Sequence, residues 1–302
     1  MPELPDITLY VEHLRRRVVG ETLSRLQILH PFVLRSVEPS LGSLAGKRAT
    51  GVSRLGKRVV LTLEGEVHVV IHLMIAGRLH WKAPGAKLGS KRTLLAAHFD
   101  HGALTLTEAG SKRRASVHLA LGAEGLAAHD PGGVDVFEAS SSEFGAAIQA
   151  RNHTLKRALT DPRILDGIGN AYSDEILHAA KLSPIKWTSR LSAAEIEALH
   201  AACKSCLEAS TARLREDFGE GFPSKVTAFR ADMAVHGKYG EPCPECGDPV
   251  QRIVYASRET NYCATCQTGG KLLADRSLSR LLAKDWPKSL EALEAFKDER
   301  RR

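Results

Sequence analysis

The sequence predicts an α+β chain built in series: a strand-rich N-terminal part, a helical middle and a short cysteine-rich module. Three observations predict it. Apolar residues alternate through "RVVLTLEGEVHVVIHLMIAGRLH" (58–80) and "TLLAAHFDHGALTLTEAG" (93–110). The pattern turns helical from about 143 to 217. Four cysteines then fall in two C-x2-C pairs between 243 and 266. Runs of strands followed by runs of helices argue for α+β rather than alternating α/β.

In chain order, "DITLYVEHLRRRVVGETL" places Ile7, Val11, Leu14 and Val18 at helical spacing, and Gly20 ends the helix. The alternating stretches give strands, with turns at Glu64-Gly65 and at Asp100-His101-Gly102. Residues 1–130 form one domain. "HDPGGVDVFEASSSEFG" is rich in Gly, Asp and Ser and reads as a linker. A helical domain occupies 143–237, where Ser192 and Glu195 have the spacing of a capping box. Cys203 and Cys206, in "CKSC", fall inside a helical pattern and read as core or semi-exposed thiols. The cysteine module covers 238–268. Residues 269–302 are a C-terminal extension of one or two short helices and a basic tail, with no role legible in it. No internal repeat and no low-complexity block is present.

The chain has 302 residues, 43% of them hydrophobic, which supports a sizeable core and argues against disorder. Lys and Arg number 42 against 35 Asp and Glu, a formal charge of +7. That balance favours a polyanionic partner, nucleic acid before an acidic membrane surface. No apolar run approaches the length of a membrane span, and the N-terminus lacks the apolar core of a signal peptide. An intracellular setting follows, in which six cysteines are better metal ligands or core residues than disulfides.

Cys243, Cys246, Cys263 and Cys266 form two C-x2-C pairs separated by 16 residues. This spacing suits a tetrahedral zinc site on two knuckles with a β-hairpin between, over an iron–sulfur or disulfide reading. Four thiolates leave no open position, so the zinc is structural, one per chain. "LDGIGNAYSDEIL" places Gly167-Ile168-Gly169-Asn170 before a helix, where backbone N–H groups and the Asn170 amide face an anion such as phosphate, over an ordinary interhelical turn. The opening "MPELPD" places Pro2 where loss of Met1 would leave a secondary amine. An α-amino group, with a pKa of roughly 7.7–8.0, is partly unprotonated at neutral pH. Such an amine attacks aldehyde-level carbon to give an iminium, and Glu3 stands beside it as a proton carrier.

Together "PELP", "LGKRVV", "HLMIAGRL", "SKRR", "LDGIGNAYSDEIL" and "VHGKYGEPCPECG…YCATC" resemble, in order and spacing, the bacterial formamidopyrimidine-DNA glycosylase / endonuclease VIII family. The resemblance covers residues 2–268. It implies an N-terminal β-sandwich, a helix-two-turn-helix domain and a four-cysteine zinc finger, binding damaged DNA, duplex or single-stranded. It implies a DNA glycosylase with AP-lyase activity in base-excision repair, working on a nucleotide flipped out of the helix. By motif match, Pro2 is the nucleophile, Glu3 moves the proton at the sugar, and Lys57 contacts phosphate and assists β-elimination. Arg258 grips phosphate and assists δ-elimination, Asn170 binds phosphate, and Arg113 fills the void opposite the flipped base. Arg151 and Lys225 fall near DNA-contacting positions. A bacterial cytoplasmic enzyme at the nucleoid is implied, monomeric, with no membrane and no small-molecule cofactor.

The sequence departs from the family at several points. "PELPD" has Asp6 where the family has glutamate, a change in the network around the base pocket. "HLMIAG" replaces "HLGMSG", putting Ile75 at the wedge position of the family methionine and Met74 one place early. "SKRRAS" puts Ala115 where the family has a phenylalanine wedge. Smaller wedges help unstacking less, so bulky, cross-linked or unpaired lesions are expected to be preferred over 8-oxoguanine in duplex. The alternatives are a non-catalytic damage-binding protein on the same scaffold, against which the intact "PELP" argues, and an RNA- or ribosome-associated zinc ribbon, which has no use for Pro2 with Lys57.

Overall fold

Helix α1 (Leu4–Val18) forms on the predicted apolar stripe: Ile7, Val11, Leu14 and Val18 are all buried, with Tyr10 beside them. The computed structural model describes residues 1–88, 91–109, 112–227, 230–255, 258–273 and 286–299. The N-terminus of α1 is capped by its own sequence. The Glu3 amide donates to the Asp6 carboxylate at 2.9 Å, which satisfies a donor that the helix leaves orphaned.

The chain then runs through β1 (Thr22–Leu23), β2 (Arg25–Ile28), β3 (Lys47–Leu55), β4 (Arg58–Leu63), β5 (Val67–His72), β6 (Gly77–Lys82), β7 (Thr93–Phe99), β8 (Gly102–Glu108) and β9 (Ser116–Leu121). Five strands form one antiparallel sheet, β1-β3-β4-β5-β9, and four form another, β2-β7-β8-β6. Period-two patterning sets which face is buried. Val59, Leu61 and Leu63 of β4, Leu95 and Ala97 of β7 and Leu104 and Leu106 of β8 join the apolar side of α1 in one core. A short helix, α2 (Gly122–Ala127), packs beside β9 and β5. The β7–β8 turn depends on Gly102, because a Cβ there would stand 2.7 Å from both the Trp81 ring and the Lys82 carbonyl.

The turn from β5 to β6 is tighter. The Gly77 amide donates to the Leu73 carbonyl at 2.9 Å, and a Cβ on Gly77 would meet that oxygen at 2.3 Å. Between them Met74 is held at φ +53° and Ile75 is 58% exposed. Met74 occupies the place of the family glycine, in a conformation that costs an L-residue about 1–2 kcal/mol. Met74→Gly is therefore expected to raise stability by about 0.5 kcal/mol, after the larger unfolded-state entropy of glycine is subtracted. A urea midpoint that moved downward at constant m-value would contradict this.

The chain divides into two compact units, Met1–Gly132 with Glu208–Ala228, and Gly133–Leu207 with Phe229–Arg302. In the second, α3 (Ser141–Gln149), α4 (Leu155–Thr160), α5 (Asn170–Ala179) and the start of α6 (Ala193–Phe218) bury Ile148, Leu159, Ile176, Leu199 and Cys203. The stretch expected to be a linker contains the first half of α3. Its serines belong to a capping box in which the Ser140 amide donates to Glu143 at 2.9 Å and the Glu143 amide to the Ser140 hydroxyl at 3.2 Å. The Ser192–Glu195 box opens α6 as expected. Residues of α6 from Glu208 onward belong to the first unit, where Arg215 pairs with Glu12 of α1 at 2.6 Å. Cys203 is fully buried, which pushes its thiol pKa up, and Cys206 is half-buried; neither belongs to the four-cysteine cluster.

The second unit ends in a hairpin, β10 (Gln251–Tyr255) and β11 (Arg258–Tyr262), then α7 (Ala264–Thr268) and α8 (Leu290–Glu299). Of the expected extension, residues 274–285 and 300–302 lie outside the described residues.

Candidate functional site

In the first unit the acidic start of α1 gathers the N-terminal group of predicted residues. Pro2 is buried, and Glu3 and Asp6 are 2% and 3% exposed. Lys57, in the β3–β4 turn, is also buried. Burial lowers the pKa of the Met1 amino group below its ordinary value; Glu3 and Asp6 oppose the shift, while Arg78 and Lys57 reinforce it. Pro2, Glu3 and Lys57 are therefore brought to one place. Asp6, noted above as a departure, joins them with Arg78 and His72, which no motif singled out. Burial, Arg58 and Lys57 lower the His72 pKa to about 4, so its imidazole is neutral at pH 7.

Arg78 also builds the surface around Ile75. Its guanidinium donates to the Ile75 carbonyl at 3.3 Å, the Gly77 carbonyl at 2.7 Å and the Val226 carbonyl at 2.7 Å. One cation thus fixes the turn that presents Ile75 and the segment carrying Lys225, whose own side chain is exposed. Arg113 donates to the Lys91 carbonyl at 2.8 Å. Its neighbours are anchored by buried Glu108, whose carboxylate accepts from the amides of Arg114 and Ala115 at 2.9 and 3.0 Å. Ala115 is 2% exposed and belongs to the core. The position expected to be a reduced second wedge therefore offers no side chain to a ligand.

Asp6 has a consequence for stability. Burial, the largest cause, raises its pKa to about 7, against roughly 3.9 in an unfolded chain. The folded state thus holds a proton that the unfolded state has lost. Stability from this group is full below pH ~3.9 and disappears as pH rises through about 7, a span worth at most ~4 kcal/mol. Asp6→Asn is expected to flatten the fall in stability between pH 5 and pH 8. Equal declines for variant and parent in denaturant titrations would refute it.

In the second unit Gly167 turns the chain at φ +76° and Gly169 caps α5. The Asn170 side-chain amide donates to the Glu259 carbonyl of β11 at 2.9 Å. Lys156 donates to the Asn170 carbonyl at 2.7 Å and to the buried Asp174 carboxylate at 2.6 Å. The other Asp174 oxygen lies 2.7 Å from His236 Nδ1. Glu175 accepts the amides of Ala234, Val235 and His236 at 2.7, 2.9 and 2.8 Å. The glycine turn, α5 and β11 thus meet beside the strap leading to the cysteines. Arg258 opens β11; its side chain lies outside the described residues. Arg151, just past α3, is exposed and takes no part in this network through any described contact.

The sulfurs of Cys243, Cys246, Cys263 and Cys266 lie within 4.8 Å of one another. Two of the distances are 3.9 Å (Cys243–Cys266) and 3.4 Å (Cys246–Cys263). A tetrahedron with zinc–sulfur bonds of about 2.3 Å has edges of about 3.8 Å, so the donor set fits. His178 Nε2 lies 3.3 Å from Cys243 Sγ, positioned to donate to a thiolate and orient it.

Three family models match the chain: the formamidopyrimidine-DNA glycosylase N-terminal domain over residues 1–117, its H2TH domain over 132–216, and a zinc finger found in FPG and IleRS over 240–269. A formamidopyrimidine-DNA glycosylase from Moorella thermoacetica is 31% identical over 264 residues, 84% of this chain and 94% of the relative. One from Thermus thermophilus is 33% identical over 282 residues, 89% of this chain and all of the relative. A Mycobacterium tuberculosis formamidopyrimidine-DNA glycosylase-like protein is 41% identical over 150 residues, 50% of this chain and 93% of its own length. Among solved structures, a Lactococcus lactis Fpg in complex with THF-DNA and an inhibitor has a TM-score of 0.79 at 25% identity, covering 88% of this chain and 100% of that one. These matches and the two-unit architecture define a DNA glycosylase of DNA repair, with a β-sandwich, an H2TH domain and a four-cysteine finger. The chain belongs to the formamidopyrimidine-DNA glycosylase family. Among the described residues no helix is long and apolar enough to cross a membrane.

Proposed function

We propose that the chain is a bifunctional glycosylase and AP lyase whose nucleophile is the amine of Pro2 once Met1 is removed. The observation that carries this reading is the environment of the amino terminus: Pro2, Glu3 and Lys57 are all buried, and Glu3 and Lys57 both act on the amino group of Met1 one residue before Pro2. The amine lone pair attacks C1′ of an extruded nucleotide, and the glycosidic electron pair leaves with the base. Glu3 delivers a proton to the ring oxygen as the sugar opens, giving the iminium. Loss of a proton from C2′ then expels the 3′ phosphate, and a second elimination would expel the 5′ phosphate. Lys57 and Arg258 hold and neutralise those phosphates, with Asn170, Arg151 and Lys225 binding the flanking backbone. Arg113 and Ile75 enter the gap. Cys243, Cys246, Cys263 and Cys266 hold one structural zinc, whose chemistry is to fix the finger. The site of action is the cytoplasm, at the nucleoid. Similar solved structures, complexes of Lactococcus lactis Fpg with abasic-site DNA and of a mutant of it with Fapy-dG DNA, support damaged DNA as the substrate.

Ile75 is the exposed apolar side chain of its turn, and Ala115 lies in the core. Extrusion recovers little of the stacking that it loses, a cost of a few kcal/mol that is least for unpaired or damaged bases. The expected result is a preference for single-strand, bubble or helix-distorting lesions over 8-oxoguanine paired with cytosine. Single-turnover rates on one lesion in single strand, bubble and duplex test it, with borohydride trapping in parallel. A highest rate in the duplex would overturn the preference. Tight binding without any trapped adduct would favour a non-catalytic damage binder.

A further inference from the structure

The hairpin β10–β11 is held at one end by the cysteines that flank it, and a two-stranded ribbon has little stability of its own. Asn170 grips it at the Glu259 carbonyl. A second hold comes from beyond residue 269. Gly269 and Gly270 follow α7 at φ +62° and +83°, and the Gly270 amide donates to the Ala264 carbonyl at 3.0 Å. This reversal sends the chain back onto β11. There Leu272 and Leu273, each 5% exposed, close a cluster with Tyr262 and Ala264, against which Ile253, Leu290 and Leu293 pack. The Leu273 amide donates to the Tyr262 hydroxyl at 2.8 Å. The Leu272 amide donates to the Lys288 carbonyl at 3.1 Å, so the start of the extension is tied to the segment leading into α8.

We propose that the C-terminal extension is a positioning element for the DNA-contacting hairpin: through Tyr262, Leu273 and the leucines of α8 it fixes where β11, and with it Arg258, stands. The proposal rests on the reading of Arg258 as a phosphate contact. Tyr262 and Leu293 touch no substrate; they act through the strand.

The test uses the full-length, zinc-loaded chain and a duplex bearing a tetrahydrofuran abasic analogue. Leu293→Asp and the milder Tyr262→Phe are measured alone and combined with Arg258→Ala. Zinc content, Kd and the slope of log Kd on log salt are read for each. The expected result is a full equivalent of zinc in every variant, binding about ten-fold weaker for Leu293→Asp and about five-fold weaker for Tyr262→Phe, the latter the scale of one hydrogen bond. The salt slope is shallower in both, since fewer counterions are released. Neither change adds to the loss in the Arg258→Ala background, as coupled sites require. Unchanged binding, losses that simply add, or release of zinc would each overturn the proposal. A normal salt slope in Arg258→Ala alone would instead remove the reading of Arg258 on which it rests, a result distinguishable from additive losses.

Discussion

Cys263→Ser is expected to lose the zinc equivalent and, with it, the fold of residues 240–269. The reason is that the apolar clusters holding that segment are small. The cluster around the knuckles is only Val235, Cys243, Val250 and Cys263, two of which are proposed ligands. Structural zinc supplies about 10–16 kcal/mol of folding free energy in finger peptides, more than a core of that size provides. Metal analysis should show less than a stoichiometric amount of zinc, and binding to abasic-site DNA should fall by orders of magnitude. The glycine-turn network survives, because Lys156, Asp174 and His236 do not depend on the thiols. A full equivalent of zinc in the variant would refute the ligand assignment.

Retention of Met1 is expected to abolish covalent chemistry while sparing DNA binding. With Met1 in place, Pro2 nitrogen is an amide and has no lone pair to give. The Met1 amine is primary and one residue removed from the Pro2 nitrogen, so attack through it would need a different seat for the sugar. A loss of rate of several orders of magnitude is expected where the nucleophile is removed, with Kd for the abasic analogue within about two-fold of the mature protein. Borohydride trapping of mature and Met1-retaining protein, verified by mass, decides it. Equal trapping by both forms would show that another amine, with Lys57 the first suspect, does the chemistry.

Elements with a strong period were legible in the sequence: α1 from Ile7, Val11, Leu14 and Val18, and β4, β5, β7 and β8 from alternation. The cysteine cluster was legible because knuckle spacing is local. The start of α3 was not, because serines were read by composition, although Ser140 and Glu143 carried the cap signal. Arg78, Glu108, Asp174 and Glu175 escaped for a different reason. Each is defined by partners that spacing along the chain does not reveal; Arg78 reaches the Val226 carbonyl across 148 positions. Asp6 was noted as a departure, yet its raised pKa comes from burial that only the packed helix creates. Ala115 was read by motif position, and the core that encloses it was invisible at that level. The hold of Leu272 and Leu273 on Tyr262 was equally hidden, since two leucines after a glycine pair have no periodicity to display.

The paired acids of α5 have a kinetic meaning. Glu175 takes up three consecutive amides, Ala234 to His236, while Asp174 joins Lys156 of α4 to the His236 ring. A strap of irregular backbone would normally open on its own and exchange its amide hydrogens quickly. Here those three hydrogens are held by one carboxylate anchored on α5, so they are expected to exchange more slowly than an unheld strap would. The cysteine module is therefore tethered to the helices through a strap whose amides up to His236 are held, and motion of the finger independent of α5 is expected to begin after that residue.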